Sequence, residues 1–84
     1  MNEKKIMREL NIPESDIPQI ERAAAKTRYK TENGKRISRQ EARALLGEKE
    51  FFSGLARSAF HWTAARETKD GKKIYFDSSA FFKE

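Results

Sequence analysis

The hydrophobic positions of this chain change period once. From Ile17 to Phe60 they recur at spacings of three and four, as on a helix buried along one side. After Trp62 they follow the short, alternating pattern of strands around an Asp-Gly pair. In ESDIPQIERAAAKTRYK, Asp16 and Gln19 stand at capping-box spacing and Pro18 fits a first helical turn. Ile17, Ile20, Ala24 and Thr27 share a face, and Ala23 to Ala25 raise helix propensity, so the pattern predicts a helix over residues 17–29. Upstream, Ile6, Met7 and Leu10 mark a short helix that needs packing partners to persist, and Asn11 to Pro13 ends it.

TENGK, residues 31–35, reads as a loop turning at Asn33-Gly34. ISRQEARALLG, residues 37–47, then carries a complete set of helix signals. Ser38 and Glu41 form a capping box, Ile37 is placed to staple onto Ala42, and Gly47 sits where a helix ends in a left-handed residue. Ala42, Leu45 and Leu46 give this two-turn helix its buried side. A longer helix follows over residues 48–61, with Phe51, Phe52, Leu55, Ala56, Ala59 and Phe60 on a broad apolar side. Glu50, Ser53, Gly54, Arg57 and His61 fall opposite.

WTAARETKDGKKIYFDSS predicts strands at 62–68 and 72–77 joined at Asp70-Gly71. A two-residue turn there sets Arg66 opposite Tyr75 and Ala65 opposite Phe76. Ser78 or Ser79 caps a last turn, AFFK. Phe51, Phe52, Phe60, Phe81 and Phe82 are the expected core. The reading is an α+β fold of three to four short helices plus a C-terminal two-stranded β-hairpin, in the order of a winged helix-turn-helix. Residues 1–13 form an N-terminal segment, a short or frayed helix, and residues 14–84 a single domain.

With 84 residues the chain is one small domain of modest stability. The absence of cysteine excludes disulfides, zinc-thiolate sites and cysteine nucleophiles, and fits a reducing cytoplasm. The single histidine makes no metal site. Ser58 and His61 lie one helical turn apart but lack a third group, and there is neither a glycine-rich phosphate loop nor a paired-carboxylate motif. The expectation is a non-enzymatic protein without cofactor. No run approaches the ~20 apolar residues of a membrane span, and MNEKKIMREL lacks the apolar run of a signal peptide, so a cytoplasmic protein without membrane contact is expected.

Charge sharpens the picture. The net charge of +5 is concentrated between residues 26 and 43, where Lys26, Arg28, Lys30, Lys35, Arg36, Arg39 and Arg43 face only Glu32 and Glu41. A basic block on a small domain points to a polyanion, usually nucleic acid. In a helix-turn-helix the second helix enters the major groove, which makes Ser53, Gly54, Arg57 and His61 candidates for double-stranded DNA, with Ser58 in support. Lys35, Arg36, Arg39 and Arg43 are candidate phosphate contacts, and so are Lys69, Lys72 and Lys73 on the wing.

ISRQEARALLG, then RSAFHW, then GKKIYFDSSAFFK resembles the small winged-helix modules of excisionases and MerR-type regulators over residues 37–84. The resemblance implies architectural DNA binding during recombination, or transcriptional control. The sequence departs from those modules in placing EKEFFSGLA between the glycine and RSAFHW, which lengthens the second helix. The whole chain also resembles small proteins carried by conjugative elements of Gram-positive bacteria, a likeness that implies no activity. Two other readings stand beside the DNA-binding one. One is an adaptor whose aromatic surface docks on a larger protein such as a recombinase or relaxase. The other is an RNA binder that stacks bases on Tyr29, Trp62 and Tyr75.

Overall fold

The computed structural model describes residues 3–84. Its elements run α1 (Glu3–Glu9), a 3₁₀ turn (Glu14–Asp16), α2 (Ile17–Ala24), β1 (Arg28–Thr31), β2 (Arg36–Ile37), α3 (Arg39–Leu46), α4 (Glu48–His61), β3 (Thr63–Glu67), β4 (Lys73–Asp77) and α5 (Ser79–Phe82). The strands make one antiparallel sheet in the order β2-β1-β4-β3. The α+β class holds, with five helices and four strands rather than fewer helices and one hairpin.

The expected helix over 17–29 stops at Ala24. The Thr27 hydroxyl donates to the Ala23 carbonyl at 2.8 Å, and the backbone then turns into β1. RYKT has weak helix signals and gains ladder bonds on both sides, to β2 and to β4. Tyr29 is buried there against Phe51 and Phe76, with ring centroids 5.7 and 5.5 Å away. Tertiary pairing outweighs the alanine-rich propensity upstream. Asp16 makes no side-chain cap, because it continues the 3₁₀ turn in helical geometry, φ −86° and ψ −21°, and the Gln19 side-chain amide donates instead to the Ala59 carbonyl at 2.9 Å, tying α2 to α4.

The second capping box forms. The Glu41 amide donates to Ser38 Oγ at 3.1 Å, and the Ser38 amide donates back to the Glu41 carboxylate at 3.4 Å. Gly47 ends α3 at φ +83°, a conformation that a side chain disfavours. It leads at once into α4, whose ends match the sequence pattern.

The expected loop Thr31–Lys35 is the hairpin turn between β1 and β2. The Thr31 amide donates to the Lys35 carbonyl and the Gly34 amide to the Thr31 carbonyl, both at 2.9 Å. The turn between β3 and β4 repeats this. The Thr68 amide donates to the Lys72 carbonyl at 2.7 Å, and the Gly71 amide donates to the Thr68 carbonyl at 3.0 Å. Gly34 and Gly71 both take φ near +80°. Each turn therefore has three loop residues, not two, and the register moves by one. Ala65 pairs with Tyr75, Arg66 with Ile74 and Ala64 with Phe76, in place of the expected Arg66–Tyr75 pairing.

The core lies between the helices and one face of the sheet. It gathers Ile6 and Met7 of α1, Ile17, Ile20 and Ala23 of α2, Tyr29, Ala42, Leu46, Phe51, Phe52, Leu55, Ala59, Ala64, Ile74 and Phe76. Phe51 and Phe52 occupy its centre as expected, while Phe60 is exposed and Phe81 and Phe82 are only half-buried. Phe60 falls on the far side of α4 from the packed rings, one helical step beyond Ala59. A chain of hydroxyls joins the α2–β1 connection, the β4–α5 connection and α4. Thr27 Oγ1 lies 2.7 Å from Ser78 Oγ, Ser78 Oγ donates to Ser58 Oγ at 2.9 Å, and Ser58 Oγ donates to the Leu55 carbonyl at 3.2 Å. Among the described residues no helix is long and apolar enough to cross a membrane.

Candidate nucleic-acid interface

Helix α4 is packed on two flanks and shows solvent only the stripe of Lys49, Glu50, Ser53, Arg57, Phe60 and His61. Its residues pack against α1, α2 and α3 on one flank and against β3 and β4 on the other. Gly54, expected to face DNA, lies on the Phe76 ring so closely that a Cβ there would sit 2.4 Å from Cζ. Ser58 is fully buried in the hydroxyl chain. Ser53 is half-buried and accepts from the Arg66 guanidinium at 2.9 and 3.2 Å. Only Arg57 and His61, with Phe60, remain exposed near the end of the helix. Gly54 and Ser58, expected on an outward face, are therefore packed inside, while Ser53 stays half-exposed on the stripe of Arg57 and His61. The apolar pattern of α4 marks one packed flank, and its small residues mark a second.

Arg39 and Arg43 are also engaged inside the molecule. Arg39 donates to both oxygens of Glu3, at 3.1 and 3.2 Å, and Arg43 bridges Glu3 at 3.2 Å and Glu48 at 2.7 Å. Their guanidiniums lie over the Phe51 and Phe52 rings, 5.6 and 5.1 Å from the centroids. They seal the core between α1, α3 and α4 and are neutralised there. In the expected phosphate-binding set, these two are the members whose charge is already matched.

Several cations that form no ion pair among the described residues gather on the sheet, while others, Lys5, Arg22, Lys49, Arg57 and Lys83, lie on the helices or after the last one. The sheet's outer face carries Arg28 and Lys30 of β1, Arg36 of β2, Lys73 and Tyr75 of β4, and Thr63, Ala65 and Glu67 of β3, all exposed. The pairing places Arg36, Lys30, Tyr75 and Ala65 in one row across all four strands. At ~4.8 Å per strand the row spans roughly 14 Å. Asp77, beside Arg28 in the next row, accepts from the Ser79 amide at 2.9 Å. The hydrogen bonds from Ser79 first, and then nearby Lys30 and Lys83, hold its carboxyl below the usual carboxylate range.

Both hairpin tips lie at the same end of this face, because Thr31 pairs with Ile74. TENGKRI (31–37) and TKDGKKI (68–74) are two copies of one pattern: Thr, any residue, Asn or Asp, Gly, Lys, a second basic residue, Ile. Folding places equivalent residues equivalently. Lys35 and Lys72 stand at the tips, Arg36 and Lys73 on the outer face, and Ile37 and Ile74 toward the core. A cleft of about 350 Å³ opens between the tips and Leu45 of α3, lined also by Lys35, Lys72 and Lys73. Among the described residues, Arg28, Lys30, Lys35, Arg36, Arg57, Lys69, Lys72 and Lys73 form no ion pair.

Of the sequence-predicted residues, the structure brings together Lys35, Arg36, Lys69, Lys72 and Lys73. It leaves Arg57 and His61 on α4, away from them in the chain's layout, and binds Arg39, Arg43 and Ser53 internally. Arg28 and Lys30, counted in the basic block but not among the candidate contacts, join the site, and so does Tyr75, which the sequence names only for base stacking in the RNA reading. The repeated heptapeptide was the signal that would have found them, since it implies a second hairpin and a longer sheet. Tyr29, considered for base stacking, is buried and unable to take that role. At the opposite end of the sheet Trp62 is exposed and stacks on Phe82, ring centroids 5.2 Å apart and 4° from parallel. Trp62 holds φ +72°, a conformation costing on the order of 1–3 kcal/mol outside glycine. Among the described residues there is no cluster of potential metal ligands. No family model, curated protein or solved structure matches this chain.

Proposed function

We propose that this protein is a small non-enzymatic DNA-binding protein whose contact surface is the outer face of the sheet with its two hairpin tips. The observation that carries the reading is the placement of Lys35, Arg36, Lys72 and Lys73 by two copies of one hairpin, beside Arg28 and Lys30 and without competing carboxylates in ion-pair range. Such a surface neutralises phosphates and releases counterions. The resemblance of residues 37–84 to excisionase and MerR-type modules selects DNA among polyanions, and an accessory architectural or regulatory role among DNA functions. The β3–β4 hairpin acts as the wing, and Arg57 and His61 are the residues of α4 that remain accessible to a duplex, whereas the sheet takes the place of the groove-reading helix.

The test is a fluorescence-anisotropy titration of mixed-sequence duplex at two salt concentrations. Six phosphate contacts predict a slope of log K against log salt near −5. Replacing Arg36 and Lys73 with alanine is expected to reduce the slope by about 2. Replacing Arg39 and Arg43 is expected to leave it unchanged.

The exposed Phe60 and the stacked Trp62–Phe82 pair support a second reading, the protein-interaction adaptor. A folded protein that binds no DNA at low salt would reject the first reading in favour of this one.

A further inference from the structure

Tyr75 is out of place for a residue at the middle of a four-stranded sheet. It occupies an inner strand, yet it is 42% exposed, because helices cover only the other face. Lys30 lies opposite it on one side and Ala65 on the other. Ala65 offers only a methyl group, so that flank of the phenol is open. Among the described residues the Tyr75 ring pairs with no other ring. The surface is thus one flat aromatic group with Lys30 and Lys73 beside it and Arg36 one strand further on, while Asp77 follows it on the same strand and Glu67 stands opposite Lys73.

Geometry decides which form of DNA this suits. The major groove is about 12 Å wide and admits a helix or a two-stranded ribbon. The four-strand row is already roughly 14 Å wide between its outer strands, before any side chain is added. Set down flat on a duplex, the sheet meets phosphates at its margins while Tyr75 at its centre stays away from the base edges. An unpaired strand has no such restriction. Its bases splay onto a flat surface and stack on aromatic rings, while its phosphates follow the neighbouring cations.

We infer that Tyr75 is a base-stacking residue and that the outer sheet face takes single-stranded DNA, with Lys30, Arg36 and Lys73 holding its phosphates. This rests on the DNA-binding reading above and narrows it to the unpaired form.

The experiment compares four 12-nucleotide probes at equal salt. They are a single-stranded DNA, its duplex, the same strand with abasic sites at its central positions, and the RNA of the same sequence. Wild type, Tyr75→Ala and Tyr75→Phe are titrated, with circular dichroism confirming that each is folded. Tyr75 is exposed, so its removal spares the core. The expected result is tighter binding of the single strand than of the duplex. Stacking of one base predicts that Tyr75→Ala weakens single-strand binding roughly 5- to 150-fold. The abasic strand should lose the same factor with wild type, and Tyr75→Phe should retain affinity. Duplex binding should change less than about twofold. Binding of neither form overturns the DNA reading itself. Duplex bound as tightly as the single strand, or Tyr75→Ala without effect, overturns the stacking inference and leaves the DNA reading standing. Tighter binding of RNA than of DNA overturns the choice of DNA.

Discussion

Gly54 separates two accounts of α4 in a single substitution. On an exposed helix face, glycine to alanine stabilises by about 1 kcal/mol through helix propensity alone. In the structure the added methyl would sit 2.4, 2.6 and 2.9 Å from Cζ, Cε1 and Cε2 of Phe76, where carbon atoms need about 3.5–4.0 Å. The ring cannot swing aside. Phe76 is only 1% exposed, and Tyr29 and Phe51 hold it with centroids 5.5 and 5.8 Å away. Separating α4 from β4 by more than an ångström would open the core along Leu55, Ala59 and Ile74. Overpacking of this kind costs about 1–3 kcal/mol and at times more. Set against the propensity gain of about 1 kcal/mol, Gly54→Ala is expected to destabilise by up to about 2 kcal/mol. For a domain of this size that lowers Tm by up to roughly 16 °C. The assay is thermal and urea unfolding followed by circular dichroism at 222 nm, for Gly54→Ala, Phe76→Leu and the double variant. Shortening the ring should relieve the clash, giving a coupling of about 0.5–3 kcal/mol in favour of the double variant. A stabilised Gly54→Ala, or strictly additive effects, would refute the packing described here and restore Gly54 to an open face.

Three further outcomes follow from the same packing. Tyr29 has a buried hydroxyl with no hydrogen-bond partner among the described residues, and burial pushes its pKa up to about 12. Tyr29→Phe should therefore leave stability equal or raise it by about 1 kcal/mol. Because the folded state binds this proton more tightly than the unfolded chain does, the wild type should lose stability as pH rises from about 10 toward 12. The variant should lack that part of the alkaline decline in a urea series. Ser78→Ala removes the link between Thr27 and Ser58, while Thr27 keeps the Ala23 carbonyl and Ser58 the Leu55 carbonyl, so a loss of about 1 kcal/mol is expected from denaturant midpoints. Glu3→Gln weakens the bridge to Arg39 and Arg43, which is partly solvent-exposed, and is expected to cost under about 1 kcal/mol and to increase amide exchange in α1.

Much of the local structure was legible from the sequence because its causes are local. The Ser38–Glu41 box and Gly47 placed α3, and the change of apolar period placed α4 and the β3–β4 hairpin. Each of those signals acts within about four residues. The absence of cysteine and the concentration of charge in residues 26–43 are likewise properties of the chain itself. The partners of each element were a different matter. Arg28–Thr31 became a strand because β4 and β2 were there to complete its hydrogen bonds, and no local rule supplies them. The Phe51, Phe52 and Leu55 pattern showed that α4 is packed on one side. It did not show that Phe76 approaches through Gly54 from the other. Arg39 and Arg43 read as free cations until α1 delivered Glu3 from 36 and 40 residues away. Charge is counted along the sequence, but its availability depends on which carboxylates the fold brings near. Pairing across the sheet likewise decided that Tyr29 is buried and Tyr75 exposed, since a one-residue change of register exchanges the two faces of a strand.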